Sequence, residues 1–249
     1  MNEDSHGGLT NDLADWYPVV AATGVPTPAT RIIPVPESLL IAVLDGEPFD
    51  VSAERSLGLV AEAAAELGVP VFLRTGEMSA KHDWDFSCHV RDLSGLTFAV
   101  SNLFQAQAMA FGVPEPTHLV IREMLPTEHL FYAFSGMPIT KERRYFVENS
   151  HVVDRQPYWP LGAIRGQYPR SPEGPLDDDV WEGLLREAST QTEEEVAVLT
   201  ALSEQAAVGL TGAWSLDWLW VPSTGWVFTD AAHAEQSYRM PDIEREALR

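Results

Sequence analysis

Two cations and two aspartates are the groups whose placement suggests chemistry. In residues 69–84, VPVFLRTGEMSAKHDW, apolar side chains at Val69, Val71 and Leu73 alternate with others and lead to Arg74. That pattern predicts a strand ending in a guanidinium. The turn that follows carries Thr75, Gly76 and Ser79, small and hydrogen-bonding, and Lys81 adds a second cation. Such a loop can cradle phosphate oxygens. The Walker signature, a glycine-rich loop closed by Gly-Lys and a hydroxyl residue, is absent, and an ordinary turn flanked by two surface cations has the same spacing.

The second constellation lies near the C-terminus, where residues 214–221 and 226–230 alternate as strands around residues 222–225. With a two- or four-residue loop, Val221 faces Trp226 and Asp217 lies opposite Asp230. A three-residue loop shifts that register. Opposed residues have Cβ atoms ~4.5–5.5 Å apart, so the carboxylates repel unless something relieves them. A hard divalent cation, a shared proton or capture by arginine would each do so. His82, His89, His118, His129, His151 and His233 show no HxxxH or HxH spacing, which argues against a transition metal. His233 is near enough in sequence to donate to Asp230.

Thirty-seven acids against sixteen bases give 249 residues a formal charge of −21. At long range this charge repels nucleic-acid phosphates and anionic membranes. No run of about 18 apolar residues occurs, and residues 1–10 are polar and acidic, without a basic and apolar leader. The expectation is a soluble cytoplasmic protein with a frayed N-terminus and neither nucleic acid nor membrane as partner. Cys88 is the only cysteine, so no intrachain disulfide or thiolate cluster can form, and a buried structural thiol is expected. Only Lys81 and Lys141 among the bases are lysines, and both fall in motif-like blocks.

The positioning elements follow from periodicity and breakers. A helix is expected to begin within residues 12–20, a strand at 31–33 among four prolines, and a short apolar strand at 39–44. Residues 52–67 read as a helix capped by Ser52 or Ser56 and stopped by Gly68. A short strand at 86–90 and a helix over 95–112 follow, the helix having apolar positions Phe98, Leu103, Phe104, Met109 and Phe111 and ending at Pro114 and Pro116. Residues 118–125 read as a strand whose Arg122 and Glu123 need partners if buried. Residues 131–134, 144–147 and 151–155 read as one antiparallel meander, and 156–175 as an ordered loop holding aromatics. Helices at 177–186 and 192–208 open with acids at Asp177–Asp179 and Glu193–Glu195, taken as solvated caps.

The order of these blocks resembles the ATP-grasp superfamily over residues 24–238. They run from GVPTP (24–28) through a strand ending in a cation and a small-residue loop to REML (122–125), ERRYFV (142–147) and a terminal aspartate pair. The likeness is to a phage and bacterial branch with arginine in place of the first lysine. More distantly, it is to eukaryotic cell-division-cycle ATP-grasp proteins that assist assembly of a translation initiation factor. It implies an α+β ATP-grasp fold of two α+β lobes, residues 1–122 and 123–249, with antiparallel sheets enclosing a nucleotide cleft. By the resemblance, Arg74 touches ATP phosphates, Ser79 and Lys81 belong to the flexible loop over them, and Arg122 is among the nucleotide-binding residues. Glu123, Met124 and Leu125 meet adenine at the hinge, and Glu142 and Arg144 form an acidic and basic pair beside the transferred group. Arg144 and Lys81 are the catalytic candidates, and Asp217 and Asp230 the Mg2+ ligands. The family's asparagine two residues after the last acid is Ala232 here.

Two functions follow. One is an ATP- and Mg2+-dependent ligase that activates a carboxylate as acyl phosphate for attack by an amine or thiol. Such catalysis needs positioning and charge neutralisation and no side-chain nucleophile. The other is an ATP-binding assembly or interaction protein without turnover. A hydrolase using Asp217 and Asp230 as acid and base leaves Arg74, Lys81, Arg122 and Arg144 without a task. The acidic surface favours a neutral or cationic acceptor, either a small molecule or a peptide or protein.

Overall fold

Alternation along residues 71–75 and 118–123 sends Val71, Leu73, Leu119 and Ile121 to one face of a sheet and Phe72, Arg74, Val120 and Arg122 to the other. The computed structural model describes residues 9–248, and residues 1–8 of the segment expected to fray lie outside these. The chain enters through α1 (Leu13–Ala21), capped by Asp12, and continues as β1 (Thr30–Pro34), α2 (Glu37–Leu44) and α3 (Val51–Leu67). Then come β2 (Val71–Thr75), β3 (His89–Val90), α4 (Leu96–Met109) and β4 (His118–Glu123). The strands form an antiparallel sheet in the order β1-β4-β2-β3. Leu39, Val60, Val100, Leu103 and Phe104 from the helices cover its apolar face.

Several elements differ from the sequence reading. Residues 39–44 lie in a helix, because the run LLIAVL lacks two-residue alternation and a helix buries Leu39 and Ala42 together, three positions apart. The cap of α3 is Asp50, whose carboxylate accepts from the Ala53 amide at 2.7 Å; Ser56 instead turns inward and donates to the Pro34 carbonyl. Helix α4 stops at Met109, before either proline. Leu103 and Phe104 are buried as expected, whereas Phe98, Met109 and Phe111 are exposed. The strand expected at 86–90 shrinks to β3.

The second half runs β5 (His129–Ala133), β6 (Met137–Thr140), β7 (Glu142–Glu148) and β8 (His151–Pro157), then α5 (Leu161–Ile164), β9 (Arg170–Ser171) and β10 (Gly174–Pro175). It finishes with α6 (Asp178–Ser189), α7 (Glu193–Ala206), β11 (Ala213–Val221), β12 (Gly225–His233) and α8 (Asp242–Ala247). The expected meander splits between two sheets, β10-β9-β5-β6 and β12-β11-β7-β8. The turn at 134–136 leads into an additional strand, β6, which pairs back onto β5, and the chain then enters the other sheet at β7. Gly136 in that turn has φ +100°, and a Cβ would stand 2.7 Å from the Asp85 carboxylate. The last sheet packs Tyr145, Val147, Trp214, Leu216, Trp218 and Phe228 against Leu13, Trp16 and Val20 of α1 and Leu199 of α7. Helix α1 therefore shares its core with the C-terminal sheet. Among the described residues, no helix is long and apolar enough to cross a membrane.

Along β7 the charges alternate sides. Lys141, just before the strand, and Arg143 both reach Glu195 on α7, at 2.7 and 2.9 Å, while Glu142 and Arg144 face the other way. Glu195 is thus no solvated cap: its side chain is 10% exposed and neutralises the fully buried Arg143. Removing one partner of a buried pair costs ~3–5 kcal/mol, because the other charge is stranded. Glu195→Ala is therefore expected to lower the unfolding free energy in urea by about that amount. Its exposed neighbour Glu194→Ala should change it by no more than about 0.5 kcal/mol.

Candidate functional site

The polar faces of the first and last sheets border a cleft of about 1590 Å3. Arg74, Ser79, Lys81, Arg122, Glu123, Met124, Leu125, Glu142, Asp217 and Asp230 all line it. Arg144 does not: it stands behind Asp217 and grips that carboxylate with Nε at 2.7 Å and Nη2 at 2.8 Å. Thr75 and Gly76 are also off the cleft. Thr75 bonds Gln107 and the Met78 carbonyl, and Gly76 is glycine because a Cβ would overlap the Asp12 carboxylate.

The aspartate pair forms by a route different from the expected one. The loop has three residues, 222–224, so Val221 faces Gly225 and Trp226 faces Trp220. Continued unchanged, that register would set Asp217 against Thr229. A bulge between Trp218 and Asp217 takes up Thr229 and brings Asp217 opposite Asp230. The extra residue has partners of its own, its hydroxyl donating to the Asp217 carbonyl at 3.1 Å and its carbonyl accepting from Arg122 Nη1.

Arginines relieve the opposed carboxylates. Arg144 holds Asp217, and Arg74, buried at the end of β2, reaches Asp230 at 2.8 Å. Burial opposes the charge on Arg144, but Asp217 outweighs it and raises the guanidinium pKa. Arg122 is buried with Nε on the Thr30 hydroxyl, at 3.2 Å, and its Nη2 has no hydrogen-bond partner. Burial and the neighbouring Arg74 push its pKa down to about 10, which leaves it a cation at neutral pH. A buried, unpaired donor on a cleft wall suits a ligand acceptor atom.

Lys81 lies in an aromatic corner. Its ammonium donates to the Tyr158 hydroxyl and sits 4.2 Å from the Tyr158 ring centre and 4.9 Å from that of Trp159. Burial opposes its charge, and Tyr158, Glu142 and Asp217 together raise its pKa. Glu142 accepts from Thr140 and from the Trp159 indole through one oxygen, at 2.8 and 3.0 Å. Burial raises its pKa, against the pull of Lys81. Glu123 closes the β4 end by accepting from the Ala29 amide at 2.7 Å, which gives the interrupting charge its partner.

No cluster of three or more His, Cys, Asp or Glu side chains suited to a metal occurs among the described residues. Two facing aspartates on a cleft nevertheless fit Mg2+, which binds through one or two carboxylates and completes its shell with phosphate and water. His233 turns away from Asp230, its Nε2 meeting the Leu9 carbonyl and its ring lying against Trp214. Cys88 is buried, and burial pushes its thiol up to about 12. Tyr158, Trp159 and Thr229 escaped the sequence reading. The aromatic richness of 156–175 hinted at the first two, and nothing in the sequence marks a bulge.

No family model and no curated protein matches the sequence. Solved structures do match its shape. Cdc123 from Schizosaccharomyces pombe aligns with 15% identity and TM-score 0.53, over 89% of this chain and 82% of its own. N5-carboxyaminoimidazole synthase from Aspergillus clavatus, in complex with ADP and 5-aminoimidazole ribonucleotide, aligns with 9% identity and TM-score 0.51, over 92% of this chain and 47% of its own. A RimK domain protein ATP-grasp from Sphaerobacter thermophilus aligns with 15% identity and TM-score 0.49, over 96% and 64%. The first two likenesses show the fold: α+β, of ATP-grasp type, with antiparallel sheets around a cleft.

The raised pKa of Glu142 has a consequence for stability. The native state holds this proton to higher pH than the unfolded chain, whose glutamate titrates near 4.5. More protons bound in the native state mean that stability falls as pH rises from 4.5 through the raised value. Glu142→Gln is expected to remove that decline. Urea unfolding of both proteins between about pH 4.5 and 7 should show the variant gaining relative to the parent as pH rises.

Proposed function

We propose that this chain is an ATP- and Mg2+-dependent ligase that activates a carboxylate as an acyl phosphate for attack by an amine or similar nucleophile. The observation that carries this reading is the convergence of Arg74, Lys81 and Arg122 on the cleft that Asp217 and Asp230 also line. It is supported by the ATP-grasp fold and by the nucleotide named in the synthase complex. We place the chain in the branch with arginine in place of lysine and divide it into lobes at residues 1–122 and 123–249. Glu123, Met124 and Leu125 form the hinge that meets adenine.

Arg74 and Arg122 bind the phosphates, and Ser79 and Lys81 close over them. Asp217 and Asp230 would hold Mg2+, which would supply charge neutralisation for phosphoryl transfer. Arg74 leaves Asp230 for phosphate, and Arg144 remains against Asp217 or turns to the transferred group. Tyr158 holds Lys81 in place, with Glu142 nearby as a counter-charge. The substrate carboxylate oxygen attacks the γ-phosphorus as ADP leaves; the amine then attacks the acyl carbon and phosphate leaves. Positioning and neutralisation supply the rate.

A second reading, ATP binding in an assembly or interaction protein without turnover, draws on Ala232 and on the alignment over most of Cdc123. ATP with Mg2+ should raise the melting temperature under either reading. A ligand at 100 times its Kd stabilises the folded state by about 2.7 kcal/mol, and Arg74→Ala should remove most of that. No shift at millimolar ATP would overturn both. ADP release stimulated by a carboxylate together with an amine supports the ligase, and binding without release supports the second reading. The acidic chain favours a neutral or cationic acceptor, so a cationic acceptor's KM should rise with salt.

A further inference from the structure

Residues 9–13, which precede and open α1, bond to both of the sheets that border the cleft. Toward the last sheet, the Leu9 carbonyl meets His233 Nε2 at 3.0 Å, and Asn11 Oδ1 accepts from the His233 amide at 2.8 Å, at the end of β12. Toward the first sheet, the Leu13 amide donates to the Gly76 carbonyl at 2.9 Å. One oxygen of the Asp12 carboxylate accepts from the Thr117 hydroxyl at 2.6 Å and meets His118 Nδ1 at 2.8 Å, where the chain enters β4. The other accepts from the Ala14 amide at 2.8 Å and caps α1. This side chain is only 12% exposed and occupies the space a Gly76 Cβ would need. The body of α1 then continues onto β12, with Trp16 edge-on to Phe228 at 5.7 Å.

We propose that residues 9–13 are a brace that sets the spacing between Arg74 and Asp230, and that Asp12 is its positioning residue. The chain of contacts is short. Arg74 leans on the turn that follows it, with Nε on the Thr75 carbonyl at 3.0 Å and Nη2 on the Gly76 carbonyl at 3.4 Å. The carbonyl that receives Leu13 therefore also receives the guanidinium. Asp230 stands three residues before His233 on the same strand. One end of the Arg74–Asp230 pair is thus fixed through Gly76 and the other through His233, and both lead to the same five residues. A cation ordered before its ligand arrives spares the ligand the cost of ordering it. A carboxylate suits the brace because its two oxygens accept several hydrogen bonds at once, here from α1 and from the start of β4. The inference rests on the reading of Arg74 as a phosphate ligand and Asp230 as a metal ligand, and it gives Asp12 no contact with either group.

Calorimetric titration of the full chain with ATP and Mg2+ tests this. Asp12→Ala is expected to raise Kd by about tenfold, but by less than about twofold when Arg74→Ala is already present, since an effect exerted through Arg74 disappears with it. Asp50→Ala, which removes the side-chain cap of α3, should lower the urea midpoint and leave Kd unchanged, so lost helix capping alone does not reproduce the result. A ligand-free measurement separates the brace from the ligase reading. In urea unfolding without nucleotide, Asp230→Ala should shift the midpoint less in the Asp12→Ala background than in the parent, because the Arg74 pair it breaks is already loosened. Circular dichroism identifies an Asp12→Ala chain that has failed to fold, in which case Thr117→Val, which removes one partner of the carboxylate and leaves the cap, takes its place. A parent that does not bind ATP overturns the ligase reading, and the urea comparison then decides the brace by itself. Parent-like ATP affinity in Asp12→Ala, the same loss of affinity with and without Arg74, or an equal midpoint shift from Asp230→Ala in both backgrounds would each overturn the inference.

Discussion

Two carboxylates face each other on adjacent strands, and the site depends on how that repulsion is met. Two unit charges about 5 Å apart repel by on the order of 3 kcal/mol at an effective dielectric of about 20. Asp217 and Asp230 escape this because each has its own guanidinium, from Arg144 on β7 and Arg74 on β2. The pairs differ in kind. Arg144 and Asp217 are paired neighbours on adjacent strands of one sheet, whereas Arg74 reaches Asp230 from a different sheet. The second pair therefore couples the two walls of the cleft, and its geometry changes if the walls move apart.

The bulge at Thr229 serves the same end. It corrects the register of a three-residue loop, and its free carbonyl receives Arg122. One extra residue thus aligns the acids and anchors the cation beside them. Arg122 keeps a donor unpaired in a buried position, an arrangement that costs stability and suits a wall built to meet an acceptor. On the opposite face of β7, Lys141, Arg143 and Glu195 form a satisfied network among structural elements. The contrast separates a charge cluster that holds the fold from one that leaves bonding capacity open to a cleft.

Much of this was legible in the sequence. Alternation at residues 71–74 placed Arg74 on the face opposite the core, because side chains of a strand point to opposite sides whatever it pairs with. The absence of further cysteines and of long apolar runs followed from composition alone. Local signals failed where two structures have similar local cost. The run LLIAVL suits a helix or a buried strand, and burial of Leu39 and Ala42 beneath their neighbours chose the helix. The expected meander split because residues 137–140 form a strand that pairs back onto β5, while β7 pairs with β8 and the distant β11.

By itself, the sequence determined which residues could take part: the cations and acids, their order along the chain, and the faces on which alternation sets them. Tertiary structure decided which of them meet. Arg74 finds Asp230 across 156 positions, and Arg144 finds Asp217 across 73. Glu195, local in sequence to a helix cap, becomes the counter-ion of a buried arginine on another element. The physical reason is that propensity and periodicity act over a few neighbouring residues, while a charge buried by packing takes its partner from whatever element the fold brings within about 4 Å.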